Sequence, residues 1–162
     1  MRWPFLFEFQ RHGMPAEESL GRLDSFLTDL AKDLRYAGEI RNGGLLGSEY
    51  HNALAAHRIA HVYNHWSYMP APADQHKRME SFTAPFAMLR LLTRLKRSYE
   101  QAKKWAEPYT KIVEEIPAMR SDTEDVVRRA VGEGRSAYVL VNNRAEGNAP
   151  LAIQAMVDSF YS

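Results

Sequence analysis

Five short apolar runs, most of them separated by a segment with helical spacing, constrain this chain more than any other feature. The runs are 5–9 (FLFEF), 35–41 (RYAGEIR), 59–63 (IAHVY), 85–92 (PFAMLRLL) and 138–141 (YVLV). Strands that are apolar along their whole length and alternate with amphipathic helices predict an α/β fold with a parallel sheet under helical cover. Connections in such sheets are right-handed, so the strands wind in one direction.

The helical segments carry their own signals. Pro15 stands at a start, Glu17 and Glu18 occupy an acidic first turn, and Leu20, Leu23, Phe26, Leu27 and Leu30 recur at helical spacing. That pattern predicts a helix over 16–33. Ser48 caps a predicted helix over 49–57, and Pro108 ends one over 98–107. The proline-containing stretch YMPAPADQH reads as a loop. Ser121-Asp122-Thr123-Glu124 has the form of a capping box for a helix over 122–131, stopped by Gly132 and Gly134. Pro150 opens the last helix, which carries Leu151, Ile153, Met156, Val157 and Phe160.

Composition narrows the function classes. With 45% hydrophobic and 25% charged residues over 162 positions, the chain can build one ordinary globular domain over 1–162. The net charge is +1, from 21 basic and 20 acidic side chains, which gives no whole-protein reason to expect nucleic acid as partner. The chain has no cysteine, which excludes disulfide and thiolate chemistry and fits a cytoplasmic location. No apolar run approaches the ~18 residues of a membrane span.

Function is legible in where polarity falls. Each run is apolar along its body and turns polar at its carboxyl end: Glu8 and Gln10, Glu39 and Arg41, Asn64 and His65, Arg90, Asn142 and Asn143. In parallel α/β folds these ends open onto one face, where ligands bind. Glu39 and Arg41 are two apart and point the same way. They form either a substrate clamp with Glu39 as base, or a structural ion pair closing the top. Arg90 shares a face with Phe86 and Met88; it either adds a second cation for an anionic ligand or pairs with Glu39 or Glu8 across the interior. Asn64, His65 and Trp66 follow the third run; His65 is the candidate for proton transfer and Trp66 for stacking on a sugar or base. Asn142 continues the inward alternation of Tyr138 and Leu140, whereas Asn143 holds the loop.

Two other patterns carry less. A metal site built from His61, His65, His76 and Glu39 lacks any recognised ligand spacing, and a structural reading of these residues is preferred. Arg94, Lys96, Arg97, Lys103 and Lys104, interleaved with Tyr99 and Trp105, read as a solvated helix face that can steer an anionic small molecule.

The segments LFEFQRH, YAGEIRN, HVYNHWSYMP, FAMLRLLT and AYVLVNNRAEGNAP resemble, in order and spacing, the domain of unknown function 72 family, the YecE-like proteins. The resemblance covers nearly the whole chain, and EIRN and VNNRAEGNA are its most specific parts. It implies a TIM-type barrel of which this chain is the carboxyl-terminal part, roughly the fourth to eighth strands. A barrel of five strands would expose two sheet edges and part of its inner face. The expectation is therefore a truncated product, or an assembly in which an amino-terminal half or a second copy of the chain covers those edges.

The functional expectation is an enzyme acting on a small anionic or sugar-like substrate at the strand ends. Glu39 and His65 would handle protons, while Gln10, Arg41, Asn64, Trp66, Arg90, Asn142 and Asn143 would bind the substrate. The alternative is a non-catalytic binding module, such as a nucleic-acid accessory protein using the 94–104 segment, or an inactive fragment. The sequence leaves the cofactor open.

Overall fold

The computed structural model describes residues 3–10 and 13–161. Strand β1 spans Phe5–Phe9 and is followed by helix α1, Ala16–Asp29. Strand β2 is Tyr36–Ile40, and after a single 3-10 turn at Gly43–Leu45 comes α2, Ser48–Ala56. Strand β3 is Ala60–His65, α3 is Pro72–Met79 and β4 is Phe86–Leu91. Helices α4, Tyr99–Ala106, and α5, Pro117–Gly132, precede β5, Ser136–Val141. The chain continues through the short helix α6, Asn143–Glu146, and α7, Ala149–Phe160. No helix among the described residues is long and apolar enough to cross a membrane.

The five strands form one all-parallel sheet in the order β1-β2-β3-β4-β5. Its register aligns Glu8 with Glu39 and Asn64 with Arg90. Alternation then divides the side chains. Ile40, Tyr63 and Leu89 face the helices and are buried against them, with Leu54 of α2 and Val126 of α5 among their cover. Ala37, Val62, Met88 and Tyr138 occupy the other, concave face as a second apolar cluster. Small residues at Ala37 and Ala60 leave room for the sheet to curl. The curl is deep enough that Trp3, just before β1, meets Tyr138 of β5 with ring centroids 5.4 Å apart. Arg35 Nη1 reaches the same Tyr138 hydroxyl at 3.4 Å. This is the curvature of a barrel wall.

Several boundaries differ from the sequence expectation, each for a local reason. Helix α1 stops at Asp29 because Leu30 turns extended, and Lys32 Nζ takes the carbonyls of Leu27 and Thr28 at 3.2 and 2.9 Å. The stretch expected as a loop contains α3, since Pro72 sits in the first turn, where its missing N–H costs nothing. Helix α5 begins at Pro117 instead of at 122, so the Ser121–Glu124 pattern lies inside the helix. The earlier start is held by Glu146, which accepts from Ile116 N at 2.7 Å and pairs with Arg120. Strand β3 runs two residues further than expected, because Asn64 and His65 stay in register with Arg90 and Leu91.

One glycine is required by its surroundings. Gly147 has φ +109°, and a Cβ there would stand 2.6 Å from the Lys111 carbonyl oxygen and 2.7 Å from Val113 Cγ2. Gly21, in the middle of α1, has nothing within 4 Å of its would-be Cβ. Gly147→Ala is expected to lower unfolding stability by about 3 kcal/mol, from left-handed strain plus overpacking. Gly21→Ala is expected to raise it by roughly 0.5–1 kcal/mol. Urea denaturation of the two variants checks both signs.

Candidate functional site

The carboxyl ends of β1 to β4 bring four charged side chains together on the concave face. Glu39 of β2 is the centre and is completely buried. Its Oε2 accepts from Arg90 Nη1 of β4 at 2.6 Å, and its Oε1 accepts from Asn64 Nδ2 of β3 at 2.9 Å. Arg41 Nε lies 3.1 Å from the same Oε1, in ion-pair range but not aligned as a hydrogen bond. Arg41 Nη2 in turn donates to Glu8 Oε2 of β1 at 2.9 Å, and Gln10 Nε2 donates to Glu8 Oε1. The Arg41 guanidinium lies over the Trp66 ring, its carbon 4.2 Å from the ring centroid. Two carboxylates and two guanidiniums thus cancel in formal charge, as buried charges require.

The network is open on one side. Arg41 Nη1 is buried and has no hydrogen-bond partner among the described residues. The Glu8 and Arg90 side chains each keep 31% of their surface exposed, whereas Glu39 keeps none. Partial burial alone would raise the Glu8 pKa. The bond from Gln10, the charge and bond of Arg41 and the charge of Arg90 outweigh it, and Glu8 titrates below the usual carboxylate value. A cleft of about 500 Å³ is lined by Asn42 and Ser67, the residues after Arg41 and Trp66, and by Tyr68, Arg78 and Lys96; no side chain of the cluster itself lines it. A second cavity of about 490 Å³ lies at the other end of the strands beside Arg35, Arg58 and Pro85, away from these groups.

Asn64 is held from behind. The β2–β3 pairing stops at Gly38 and His61, and the Asn64 amide fills the gap above it by donating to Ile40 O at 2.8 Å. Gln75 of α3 fixes which way that amide points. Its Nε2 donates to Asn64 O at 2.7 Å and Asn64 Oδ1 at 3.3 Å, and its Oε1 accepts from Asn64 N at 3.3 Å. Because Gln75 Oε1 is an acceptor, His61 Nε2, 3.1 Å away, must carry the proton. His61 Nδ1 is then free to accept from the Tyr50 hydroxyl at 3.3 Å. Burial drives the His61 pKa down to about 4, which keeps the ring in this neutral tautomer.

Of the residues expected from sequence, Glu39, Arg41, Asn64, Trp66, Arg90 and Gln10 are brought into this network. His65 is not among them. With Asn64 inside β3, alternation turns His65 to the helix side, where it is buried with Nδ1 2.7 Å from Thr93 O. Asn142 and Asn143 lie at the end of β5 but spend their amide oxygens on the backbone. Asn142 accepts from Arg144 N at 3.0 Å and Asn143 from Ala149 N at 2.8 Å. His61 of β3 faces the helices, and His76 of α3 packs against the same side of the sheet, its Nδ1 2.9 Å from the Tyr63 hydroxyl. Among the described residues no three His, Asp or Glu side chains gather as a cation site. Sequence reasoning placed Glu8 among the polar strand ends without giving it a role in the site, and it left out Gln75. That role was findable, since Glu8 is two residues before Gln10 on one strand face; Gln75 carried no signal, lying in a stretch that reads as a loop.

The family whose sequence model is described as protein of unknown function DUF72 matches residues 2–161, and the chain belongs to that family. No curated protein matches it. Two solved structures share its fold. A DUF72 family protein from Enterococcus faecalis V583 is 17% identical at a TM-score of 0.70, with 99% of this chain and 59% of that one covered. A DUF72 family protein from Thermotoga maritima MSB8 is 17% identical at a TM-score of 0.63, with 97% and 58% covered. The chain therefore spans less than two thirds of the length of these relatives. At that identity the likeness establishes the fold, a five-strand parallel sheet alternating with helices that is consistent with part of a TIM-type barrel.

The supporting network makes stability depend on pH. His61, His65 and His76 all have pKa values lowered chiefly by burial, His61 to about 4. Between the unfolded value near 6.5 and the folded value, the unfolded chain binds more protons, so stability falls as pH drops through that window. His61 alone contributes on the order of 3 kcal/mol. Thermal unfolding followed from pH 7.5 to pH 4 is expected to show this loss, and His61→Gln should flatten it.

Proposed function

We propose that this DUF72 family member is an enzyme that binds a small anionic or sugar-like substrate at the carboxyl ends of its strands, through Arg41 and Arg90. Arg41 carries the reading. Glu8, Glu39 and Trp66 hold its guanidinium in place, yet its buried Nη1 has no partner among the described residues. Such a group costs about 1–3 kcal/mol unpaired. An oxygen of a carboxylate, a phosphate or a sugar hydroxyl satisfies it, and an anionic oxygen does so through a stronger, charge-assisted bond. Arg90, partly exposed two strands away, supplies further donors to the same ligand.

The roles within the cluster follow from exposure. Glu39 is enclosed and fully engaged, so it orients both guanidiniums and touches no substrate. Glu8 is accessible and ionised at neutral pH, so it is the carboxylate placed to take a proton or to hold a substrate hydroxyl. Asn64 keeps Glu39 in position, and Trp66 keeps the Arg41 plane fixed. His65, on the far side of its strand, acts through Thr93 and not on the ligand.

Calorimetric titration with inorganic phosphate tests the assignment. Arg41→Gln is expected to weaken binding at least tenfold while the far-UV circular dichroism stays unchanged. Arg41→Lys keeps the charge but removes the Nη1 donor, and it should weaken binding as well. Unchanged affinity in both variants would contradict the reading.

A further inference from the structure

Every buried side-chain nitrogen or oxygen without a hydrogen-bond partner among the described residues belongs to one of three arginines: Arg41, Arg97 and Arg144. In Arg97 the atom is Nη1, and in Arg144 it is Nε. Each of the three follows a strand end, β2, β4 and β5 respectively. Each also has its guanidinium laid over an aromatic ring. The guanidinium carbon is 4.2 Å from the Trp66 centroid in Arg41, 4.7 Å from Trp105 in Arg97 and 4.4 Å from Tyr99 in Arg144.

The three are linked into an arc along one rim. Ser67, next to Trp66, donates through Oγ to the Arg97 carbonyl and accepts from Lys96 N at 2.7 Å, which ties the loop after β4 to the loop after β3. Two residues beyond Arg97, the Tyr99 hydroxyl accepts from Arg144 Nη1 at 3.1 Å, which ties α4 to the residues after β5. An arginine stacked on an aromatic ring has given up its rotamer freedom before any ligand arrives. A buried N–H left unpaired in that state calls for an acceptor that is not part of the protein. Arg41 and Arg144 follow strands three places apart in the sheet, roughly 14 Å at about 4.8 Å per strand, which is beyond the reach of a single acidic group. Of the cations around them, Arg94 pairs with Glu114 and Lys103 lies 4.0 Å from Glu107, while Arg78 and Lys96 line the cleft and add positive charge that favours an anionic ligand.

We infer that the ligand of this face is a small molecule with at least two acidic groups, phosphate or carboxylate, one at Arg41 and the next at Arg97 and Arg144. The inference rests on the mouth reading above for its first anchor. Arg97 and Arg144 set specificity for the second acidic group, and a monoanion occupies only the Arg41 end.

Calorimetry with inorganic phosphate and with tripolyphosphate at matched ionic strength tests this. Tripolyphosphate is expected to bind at least tenfold more tightly. The double variant R97Q/R144Q should lose that advantage while its affinity for phosphate stays within twofold. R97K/R144K, which keeps the charges but not the flat stacked forks, should lose most of it too. Equal affinity of the natural chain for the two probes, or an unchanged advantage in both double variants, overturns the inference. If Arg41→Gln leaves phosphate binding intact while R97Q/R144Q abolishes that of tripolyphosphate, the mouth reading falls and the rim assignment stands. Tighter binding of a single-stranded oligonucleotide than of tripolyphosphate, with a steep salt dependence, overturns the small-molecule assignment.

Discussion

The carboxylate of Glu39, with no exposed surface, has to be balanced inside the protein, and the top of the sheet is organised around that requirement. A buried ion whose partner is removed costs about 3–5 kcal/mol, so each partner is held in turn. Arg90 comes from β4, Arg41 from the exit of β2 and Asn64 from β3. One side chain thus couples three neighbouring strands at the point where β2 and β3 cease to pair through their backbones. Glu8 of the edge strand β1 joins through Arg41, so the interaction reaches four strands of five.

The same requirement accounts for the polar layer behind the sheet. Asn64 can hold Glu39 only with its Nδ2 turned inward, and Gln75 fixes that orientation from α3. Gln75 is itself held by a neutral His61, which burial protects from protonation. A chain of defined donors and acceptors therefore runs from Tyr50 in the helix layer to the guanidiniums at the mouth. Fully satisfied polar chains of this kind favour one arrangement over its alternatives. What the chain leaves open is equally specific: nitrogens on stacked arginines at the rim.

The strand pattern and the polar strand ends were readable because both follow from period-two alternation, which apolar bodies and charged ends display directly. Glu39 and Arg41 point the same way for that reason alone. Arg90 joins them because Phe86 and Met88 share its face. What alternation could not supply was the length of β3. Ending it at Tyr63 placed His65 in a loop with access to the mouth; two further residues of pairing turn it away. Proline misled the reading of α3, because a breaker inside a helix and a starter in its first turn look alike in sequence. The paired asparagines after β5 gave an ambiguous signal for another reason. Their side chains match both a ligand contact and a backbone cap, and the neighbouring N–H groups of Arg144 and Ala149 take them as caps.

The central claim is that Glu39 holds Arg41 so that one guanidinium nitrogen awaits an anionic oxygen. Crystals soaked in selenate and measured at the selenium edge test it most directly, since anomalous scattering locates a phosphate-like anion without bias from the protein. The account predicts a peak within hydrogen-bond reach of Arg41 Nη1 that disappears in Arg41→Gln. Selenate bound elsewhere on the molecule, with no density beside Arg41, would contradict it.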